Sequence, residues 1–465
     1  MRKVVLILLV LLFSVCAGAS LAFAQPLDRG ELLGVLPQAP DLNEPVTRGA
    51  FGAMLVKAAS LPAVSGQVYQ ARDVDPGSWY APALAALRER GIMAGYPDGT
   101  LRPGQPVTGA EAAVMVARTL GLFGTPGQPE AGPLKPDHWA SSLYNWLVNQ
   151  GLVSARSDPE GALTVREAAD FLARVFGSDP QAVDIVEKSG RAQAGVKAMR
   201  FKSNIDMVMR PRAGMAGQVP VLSGSGQISA ELVLPATMHQ VARWRFEAAG
   251  GPAAEGGRLP ELETEQYLVG GKMYMKMTDP ATGKAEWMRL PENALPDLEA
   301  LMKESLEAGK MGAGGMPEGL KPYFHYQLLG TAEKDGRKVF EIGYYGRIDD
   351  LAAFFKLAVP ESLRDTLDGL QFERSLEKAG KLVRSISYWG RDYISADDYL
   401  PCGGELRTVL SFADRFQGEA VPFELIEMRM RVEECAYGEQ IKIELPPEAL
   451  QAREMPLPQE ETTGS

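Results

Sequence analysis

This sequence predicts a multidomain chain: an α-helical repeat domain, then an α+β domain on a curved antiparallel sheet, a half-barrel with inserted helices. Three observations carry that expectation. Over about the first 180 residues a short pattern recurs three times, in which a helix ends at glycine followed by two apolar residues, a turn-rich loop follows, and Thr opens a second helix. The marks are Gly34-Val35-Leu36 with Thr47, Gly91-Ile92-Met93 with Thr108, and Gly151-Leu152-Val153 with Thr164, and Trp79 and Trp139 each stand twelve residues before their glycine. From Phe201 the hydrophobic period changes to strict alternation, which is the period of half-buried strands. Beyond that point Gly270-Gly271 and Asp335-Gly336 separate apolar runs in the manner of two-residue hairpins.

The N-terminus reads as an export signal over residues 1–24. Arg2 and Lys3 precede an apolar run from Val4, and Ala22-Phe23-Ala24 supplies small residues for cleavage before Gln25. The run is nearly long enough to stay uncleaved as a membrane anchor, and no other stretch is apolar enough to span a bilayer. A net charge of -11 argues against nucleic acid as a partner, because phosphate binding needs a basic surface. The remaining length suits two or three domains with real cores.

The repeats occupy residues 27–178, as a truncated copy (27–64), a fuller one (72–123) and a third (134–178). A unit of this size cannot bury its own apolar face and stacks with its copies. In the second copy, Asp73-Val74-Asp75-Pro76-Gly77-Ser78-Trp79-Tyr80 leads into an apolar helix. The loop Gly91-Ile92-Met93-Ala94-Gly95-Tyr96-Pro97-Asp98-Gly99-Thr100-Leu101-Arg102-Pro103 follows. Gly91 sits where a helix end needs a left-handed residue, and Pro97-Asp98-Gly99 is turn chemistry. Thr108 with Glu111, and Thr164 with Glu167, fit the capping box. Phe51, Leu55 and Ala59 align with Ala112, Val116 and Leu120, and with Ala168, Leu172 and Phe176. A spacing of four puts each trio on one helix stripe, so three helices around a common axis would make the core.

These residues resemble the S-layer homology domain. That family has an Asp and a Trp near its first helix, a loop of the Gly91–Pro103 type, and Thr-Arg-Ala-Glu at the start of its second helix. The resemblance implies a pseudo-threefold assembly of three copies and a partner, secondary cell-wall polysaccharide, often pyruvylated, held by the arginines of that opening. Here Thr47-Arg48-Gly49-Ala50 keeps the arginine, Thr108-Gly109-Ala110-Glu111 keeps the acid, and Thr164-Val165-Arg166-Glu167 carries its arginine one place late. That displacement turns Arg166 by about 100° around the helix. A guanidinium fork suits an acid group in a way that Lys or Gly does not. The wall-polymer candidates are Arg48, Trp79, Arg102, Trp139 and Arg166. Trp79 and Trp139 either stack on sugar faces or pack as core.

A linker or short helix over residues 179–198 leads to the second domain, 199–452. Alternation marks strands at Phe201 to Met209, Ile228 to Leu234, Tyr267 to Val269, Lys272 to Tyr274, Tyr323 to Leu329, Val339 to Tyr345, Leu382 to Trp389, Leu406 to Phe412 and Phe423 to Val432. Helical stretches interrupt them at Pro296 to Leu306 and Asp349 to Leu367. Residues 453–465 read as a disordered acidic tail. This order looks like the carrier fold of the lipoprotein-localisation factors and the mycobacterial lipid-binding lipoproteins. The resemblance implies an apolar cavity for a lipid or acyl chain, with no individual site residue to transfer.

Methionines supply the pocket candidates: Met207, Met209, Met273, Met275 and Met277 fall at alternate positions of two strands, so each set lies on one face. Flexible, polarisable methionine suits a pocket for varied apolar ligands; ordinary core filling and Cu(I) binding by three thioethers are the alternatives. Cys402 and Cys435, the only cysteines after the export signal, are expected to pair in a disulfide. Ser223-Gly224-Ser225-Gly226 reads as flexible loop composition and not a phosphate cradle, since no Lys-Ser/Thr follows.

Chemistry finds little support. His138, His239 and His325 lie in separate segments, no spacing suggests a zinc site, and no cofactor motif occurs. The sequence therefore predicts a non-enzymatic, exported cell-envelope protein, anchored non-covalently to the wall, whose distal domain binds a lipid or other apolar ligand. The alternative is a structural S-layer-associated component without a small ligand.

Overall fold

The computed structural model describes residues 29–61, 71–121, 132–149, 151–153, 158–215, 217–234, 237–250, 261–278, 284–291, 323–358, 372–438 and 440–455. The export signal, the stretch Pro296 to Leu306, most of the acidic tail and residues 359–367 of the later helical stretch lie outside them.

Short helices come first: α1 (Arg29–Leu33), α2 (Arg48–Ala58), α3 (Ala81–Glu89), α4 (Gly109–Thr119), α5 (Ser141–Asn149), α6 (Val165–Phe176) and α7 (Pro180–Ala194). Their starts obey local chemistry. Thr108 Oγ1 accepts from the Glu111 amide (3.1 Å) while Glu111 Oε2 accepts from the Thr108 amide (3.1 Å), and Thr164 with Glu167 repeats the exchange. Gly91 and Gly151 take φ of 66° and 69° at the ends of the preceding helices, a conformation that glycine adopts at least cost. The starts of α2, α4 and α6 are each bridged by the loop of another copy: Gly49 N donates to Pro103 O, Ala110 N to Pro159 O, and Arg166 N to Leu42 O. Phe51, Leu55, Ala112, Val116, Ala168, Leu172 and Phe176 are buried together.

The strands are β1 (Ala198–Pro211), β2 (Val221–Val233), β3 (Thr237–Ala249), β4 (Leu262–Val269), β5 (Lys272–Thr278), β6 (Ala285–Arg289), β7 (His325–Lys334), β8 (Arg337–Ile348), β9 (Val383–Ser395), β10 (Pro401–Phe412), β11 (Arg415–Phe416), β12 (Glu419–Ala420), β13 (Phe423–Tyr437) and β14 (Arg453–Glu454). Twelve of them form one sheet in the order β14-β6-β5-β4-β3-β2-β1-β13-β10-β9-β8-β7, antiparallel throughout except β14 beside β6. Gly270-Gly271 and Asp335-Gly336 close their hairpins with φ of 57°, 71°, 52° and 73°, as a two-residue turn with positive φ at both centres requires.

The expected fold class is corrected here. A free-standing helical repeat domain followed by a separate half-barrel is not what the chain builds. Among the described residues its helices are few and short, and a 12-stranded sheet dominates. The physical reason is a shared core: Tyr345, Trp389 and Val409 of the sheet lie in the same buried cluster as the helices. Sheet side chains also satisfy the helix ends. Arg347 Nη1 donates to Arg118 O (3.2 Å) at the end of α4, and Gln327 Nε2 to Arg174 O (2.7 Å) and Gly177 O (3.1 Å) at the end of α6. The Tyr345 hydroxyl donates to Val175 O. A cation at a helix C-terminus is favoured by the orphan carbonyls and the helix dipole.

The two sheet faces thus differ. The first six helices cover one face at β8–β10, and α7, α8 (Leu351–Ala358) and α9 (Phe372–Leu382) cover the other around Tyr326, Ile342, Tyr344, Ile386 and Tyr388.

His325 sits in the seam, between Phe176 (5.9 Å) and Tyr345 (5.4 Å), and its burial pushes the imidazole down to about 4. The native state then refuses a proton that the unfolded chain takes up near pH 6.5, so stability is present above that value and is lost as pH falls towards 4. The loss is expected to reach about 3 kcal/mol over that window. Thermal unfolding from pH 7.5 to 4.5 checks it, and His325→Leu should flatten the profile.

Candidate binding surfaces

The first surface is the junction between α2 and the loop that ends at Pro103. Arg48 is buried, 4% exposed, and its Nη1 lies 2.7 Å from Glu111 Oε1 while its Nε donates to Leu101 O (3.0 Å). The same Glu111 oxygen accepts from the Tyr96 hydroxyl (2.8 Å). Both Arg48 (5.1 Å) and Arg102 (3.8 Å) place a guanidinium over the Tyr96 ring. Asp98 takes the Thr100 hydroxyl (2.6 Å) and amide (3.0 Å) and pairs with Arg102 (3.2 Å). Those bonds, the Thr100 hydroxyl first, hold the Asp98 carboxyl down to about 2. Asp73 accepts the Leu101 and Arg102 amides (2.9 and 2.7 Å), so it shapes the loop. Arg102 itself has φ of 51°, an uncommon conformation for a residue with a Cβ.

Trp79 belongs to this junction. It meets Tyr80 edge-on (5.4 Å), and Tyr80 lies against Gly49, where an added Cβ would sit 3.1 Å from the ring. Trp79 is 43% exposed and Trp139 61%, so neither is core. Trp139 stands beside His138 (5.8 Å), whose Nε2 is 2.8 Å from Glu160 in the loop facing α4. Arg166 is exposed at the start of α6. Of the five wall-polymer candidates, Arg48, Trp79 and Arg102 share one junction, while Trp139 and Arg166 occupy the other two. Arg48 is committed to protein partners, and Arg102 is the more exposed guanidinium, at 38% of its side chain. Glu111, read from sequence as a cap alone, is the hub that joins Arg48, Tyr96 and Thr108.

The second surface is the sheet face opposite the first six helices. Register places Met207 across from Gly224 and Met428, and Met209 across from Leu222 and Ile426. Ile205 opposes Gly226, Gly226 opposes Trp244, and Gly224 opposes Phe246, so these residues share one face. Met273 and Met275 continue it through Leu268 and Gln266, with Met288 across from Met275. Met277 follows on the same strand face, and its side chain lies outside the described residues. Met207, Met209, Met273 and Met275 therefore point to one side, yet four strand spacings, about 19 Å, separate the two groups. They line one surface and do not form one cluster.

Gly224 and Gly226 are not loop residues. They lie inside β2, and the stacked rings of Trp244 and Phe246 (5.9 Å, 10° between planes) rest on them. A Cβ at Gly226 would come 2.6 Å from Trp244 Cε3, and one at Gly224 2.9 Å from Phe246 Cδ1. The result is an aromatic floor, half-buried, beside Met207. Sequence reading missed Trp244, Phe246, Met428 and Met430; alternation from Met238 to Phe246 carried the signal for the first two.

Asp392 shares this face, across from Ile342 and Gly404, and an added Cβ at Gly404 would sit 2.6 Å from its Oδ1. Burial pushes its carboxyl up to about 7. The native state holds a proton that the unfolded chain releases near pH 3.8, so this group's stability is present below 3.8 and is lost as pH rises through 7. Asp392→Asn should accordingly raise the unfolding temperature at pH 8 and leave it unchanged at pH 3.5, opposite in sign to the His325 effect.

The expected disulfide is corrected: Cys402 and Cys435 are free thiols. Cys402 lies in the irregular stretch between Pro401 and Gly404 and directs its Sγ at Leu400 O (3.6 Å). Burial pushes Cys435 up to about 11, which suppresses the thiolate that oxidation requires.

Comparison with known proteins adds a domain to this geometry. Residues 72–113 match the S-layer homology domain. Cell surface glycoprotein 1 of Acetivibrio thermocellus is 34% identical over 109 residues, 21% of this chain and 5% of that protein. Outer membrane protein SlpA of Deinococcus radiodurans is 41% identical over 71 residues, 15% of this chain and 6% of that protein. The chain thus spans a small fraction of either relative's length. Among solved structures, LprF from Mycobacterium bovis aligns over 58% of this chain and 98% of its own, at 14% identity and a TM-score of 0.29. So low a likeness bears on no functional argument.

Proposed function

We propose that this is a cell-envelope protein which holds the wall non-covalently through its S-layer homology segment and carries a lipid or similar apolar ligand on the aromatic face of its sheet. The S-layer homology domain places it outside the cytoplasm, at the cell wall or S-layer. The role is one of anchoring and binding, not catalysis.

The observation that supports wall binding is the matched segment itself, which spans Asp73, Trp79, the Gly91–Pro103 loop and Glu111. Secondary cell-wall polysaccharide is the proposed partner, and its acid groups, pyruvyl ketals among them, suit the exposed Arg102 beside Trp79. Arg102→Gln is expected to reduce co-sedimentation of the full chain with purified wall sacculi several-fold without changing its unfolding temperature by more than a few degrees. Equal sedimentation of native and variant protein would refute the assignment.

The aromatic floor of Trp244 and Phe246, flanked by Met207 and Met428, supports the ligand half. Methionine adapts its shape at low cost, and flat rings offer area without polar demand. Organic extraction of the purified chain followed by mass spectrometry should return a stoichiometric lipid, absent from Gly226→Val protein, whose floor is displaced. A blank extract, repeated after incubation with envelope lipids, would favour the structural component without a ligand. The shared core of helices and sheet suits that second reading equally well.

A further inference from the structure

A cavity of about 300 Å³ lies on the helix-covered face of the sheet, where α5 approaches β9, β10, β13 and β1. It belongs to neither surface described above. Trp146 and Trp389 form its inner wall, meeting edge to face at 5.7 Å and only 5% and 9% exposed. Its charged lining comes from Asp206, Glu405, Arg407, Arg429 and Arg431.

The charges here are arranged against the ordinary rule for sheets. Arg407 of β10 and Arg429 of β13 stand directly opposite one another, a pairing of like charges that costs stability. One carboxylate oxygen answers both: Glu427 Oε1 lies 2.8 Å from Arg407 Nε and 3.2 Å from Arg429 Nε. Arg407 is held further by Trp389, its guanidinium 4.8 Å over the ring. Arg431, two residues on from Arg429 and so on the same face, reaches Asp206 only at 3.6 Å, with both side chains more than half exposed. Local rules of this kind are broken mainly at functional sites. Arg429 and Arg431 both line the cavity from one strand face, and a guanidinium fork suits a carboxylate. Glu405 opposes Arg431 across the strands, and Asp206 opposes Arg429 on the other side. Those carboxylates would repel a second acid group and accept hydroxyl donors instead. The volume is at the small end for ligand sites.

We propose that this cavity binds an acidic sugar: a ring carrying one carboxylate, with the acid on Arg429 and Arg431, hydroxyls on Glu405 and Asp206, and the ring against Trp146. The site would give the chain a second hold on an acidic glycan, independent of the α2 junction.

The test uses the full chain and glucuronate as probe, with glucose and inorganic phosphate as comparisons, followed by saturation-transfer NMR and the unfolding temperature. Glucuronate is expected to bind saturably and raise the unfolding temperature, and glucose to do neither. Arg431→Gln should weaken glucuronate binding by about tenfold, the scale of one lost charge-assisted contact. Arg245→Gln, on the same sheet side and paired with Glu261, should leave it unchanged. A Trp146→Phe variant gives a second reading that removes no charge, and it too should weaken binding. No saturable binding, or glucose binding equally, would overturn the proposal, as would unaltered affinity in Arg431→Gln. Phosphate competing as well as glucuronate would also overturn it, by showing an anion site without a sugar. Loss of Arg102 leaves this measurement untouched, so failure here and failure of wall binding at the α2 junction are separable.

Discussion

Replacing Gly121 by valine is expected to prise the helical segment from the sheet. Gly121 follows α4 with φ of 82°, and a Cβ there would fall 1.7 Å from Ser387 Oγ and 2.4 Å from Ser387 Cβ on β9. Two costs add: a branched residue in the left-handed region and an overpacked contact, together about 2–4 kcal/mol. The location matters more than the sum. Ser387 lies two residues from Trp389 on the same strand face, Trp389 belongs to the shared core, and Ser387 pairs with Arg347, which closes the end of α4. Calorimetry should therefore show the native chain melting its helical and sheet parts together, whereas Gly121→Val splits or broadens the transition. A variant that melts as one sharp step at the native temperature would show that the two parts do not depend on this contact. Gly121→Ala, which keeps the strained φ with a smaller intrusion, should fall between them.

Arg48→Ala is expected to have the largest effect of any single charge removal at the α2 junction. It strands the largely buried carboxylate of Glu111, frees Leu101 O and removes one guanidinium from the Tyr96 ring. Breaking one partner of a buried ion pair costs about 3–5 kcal/mol, because the remaining charge stays desolvated. Chemical denaturation of the full chain measures it. Arg48→Lys should recover only part, since an ammonium cannot present the fork that meets Glu111 and Leu101 at once. Glu111→Gln should resemble Arg48→Ala in stability, a result that a purely ligand-binding arginine would not produce. If Arg48→Ala keeps native stability but no longer sediments with sacculi, the residue faces ligand and not Glu111.

Local chemistry was legible in the chain. The capping boxes at Thr108 and Thr164, the left-handed Gly91 and Gly151, and the positive-φ hairpins at Gly270 and Asp335 depend on residues within a few positions of each other, so sequence reports them directly. Alternation from Phe201 to Met209 likewise became β1. The site residues were less legible. Arg48 reads as an anion-binding guanidinium until Glu111, far along the chain, is placed 2.7 Å away. Ser223-Gly224-Ser225-Gly226 reads as a loop because glycine has no face preference; it is a strand because Trp244 and Phe246 occupy the space above it. The two cysteines invite pairing by number alone, yet both are free, with Cys402 Sγ turned to Leu400 O.

What the sequence determined by itself is thus where several helices start and end, where two hairpins turn and where β1 runs, together with the S-layer homology pattern of the second copy, because caps, turns and periodicity act over one or two turns of chain. Tertiary structure alone decided that helices and strands share a core, that one face of the sheet collects methionine and aromatic side chains, and that arginines meet across β10 and β13. Those outcomes rest on contacts between residues tens to hundreds of positions apart. Hydrophobic burial, which drives them, specifies how much surface is covered but not by which partner.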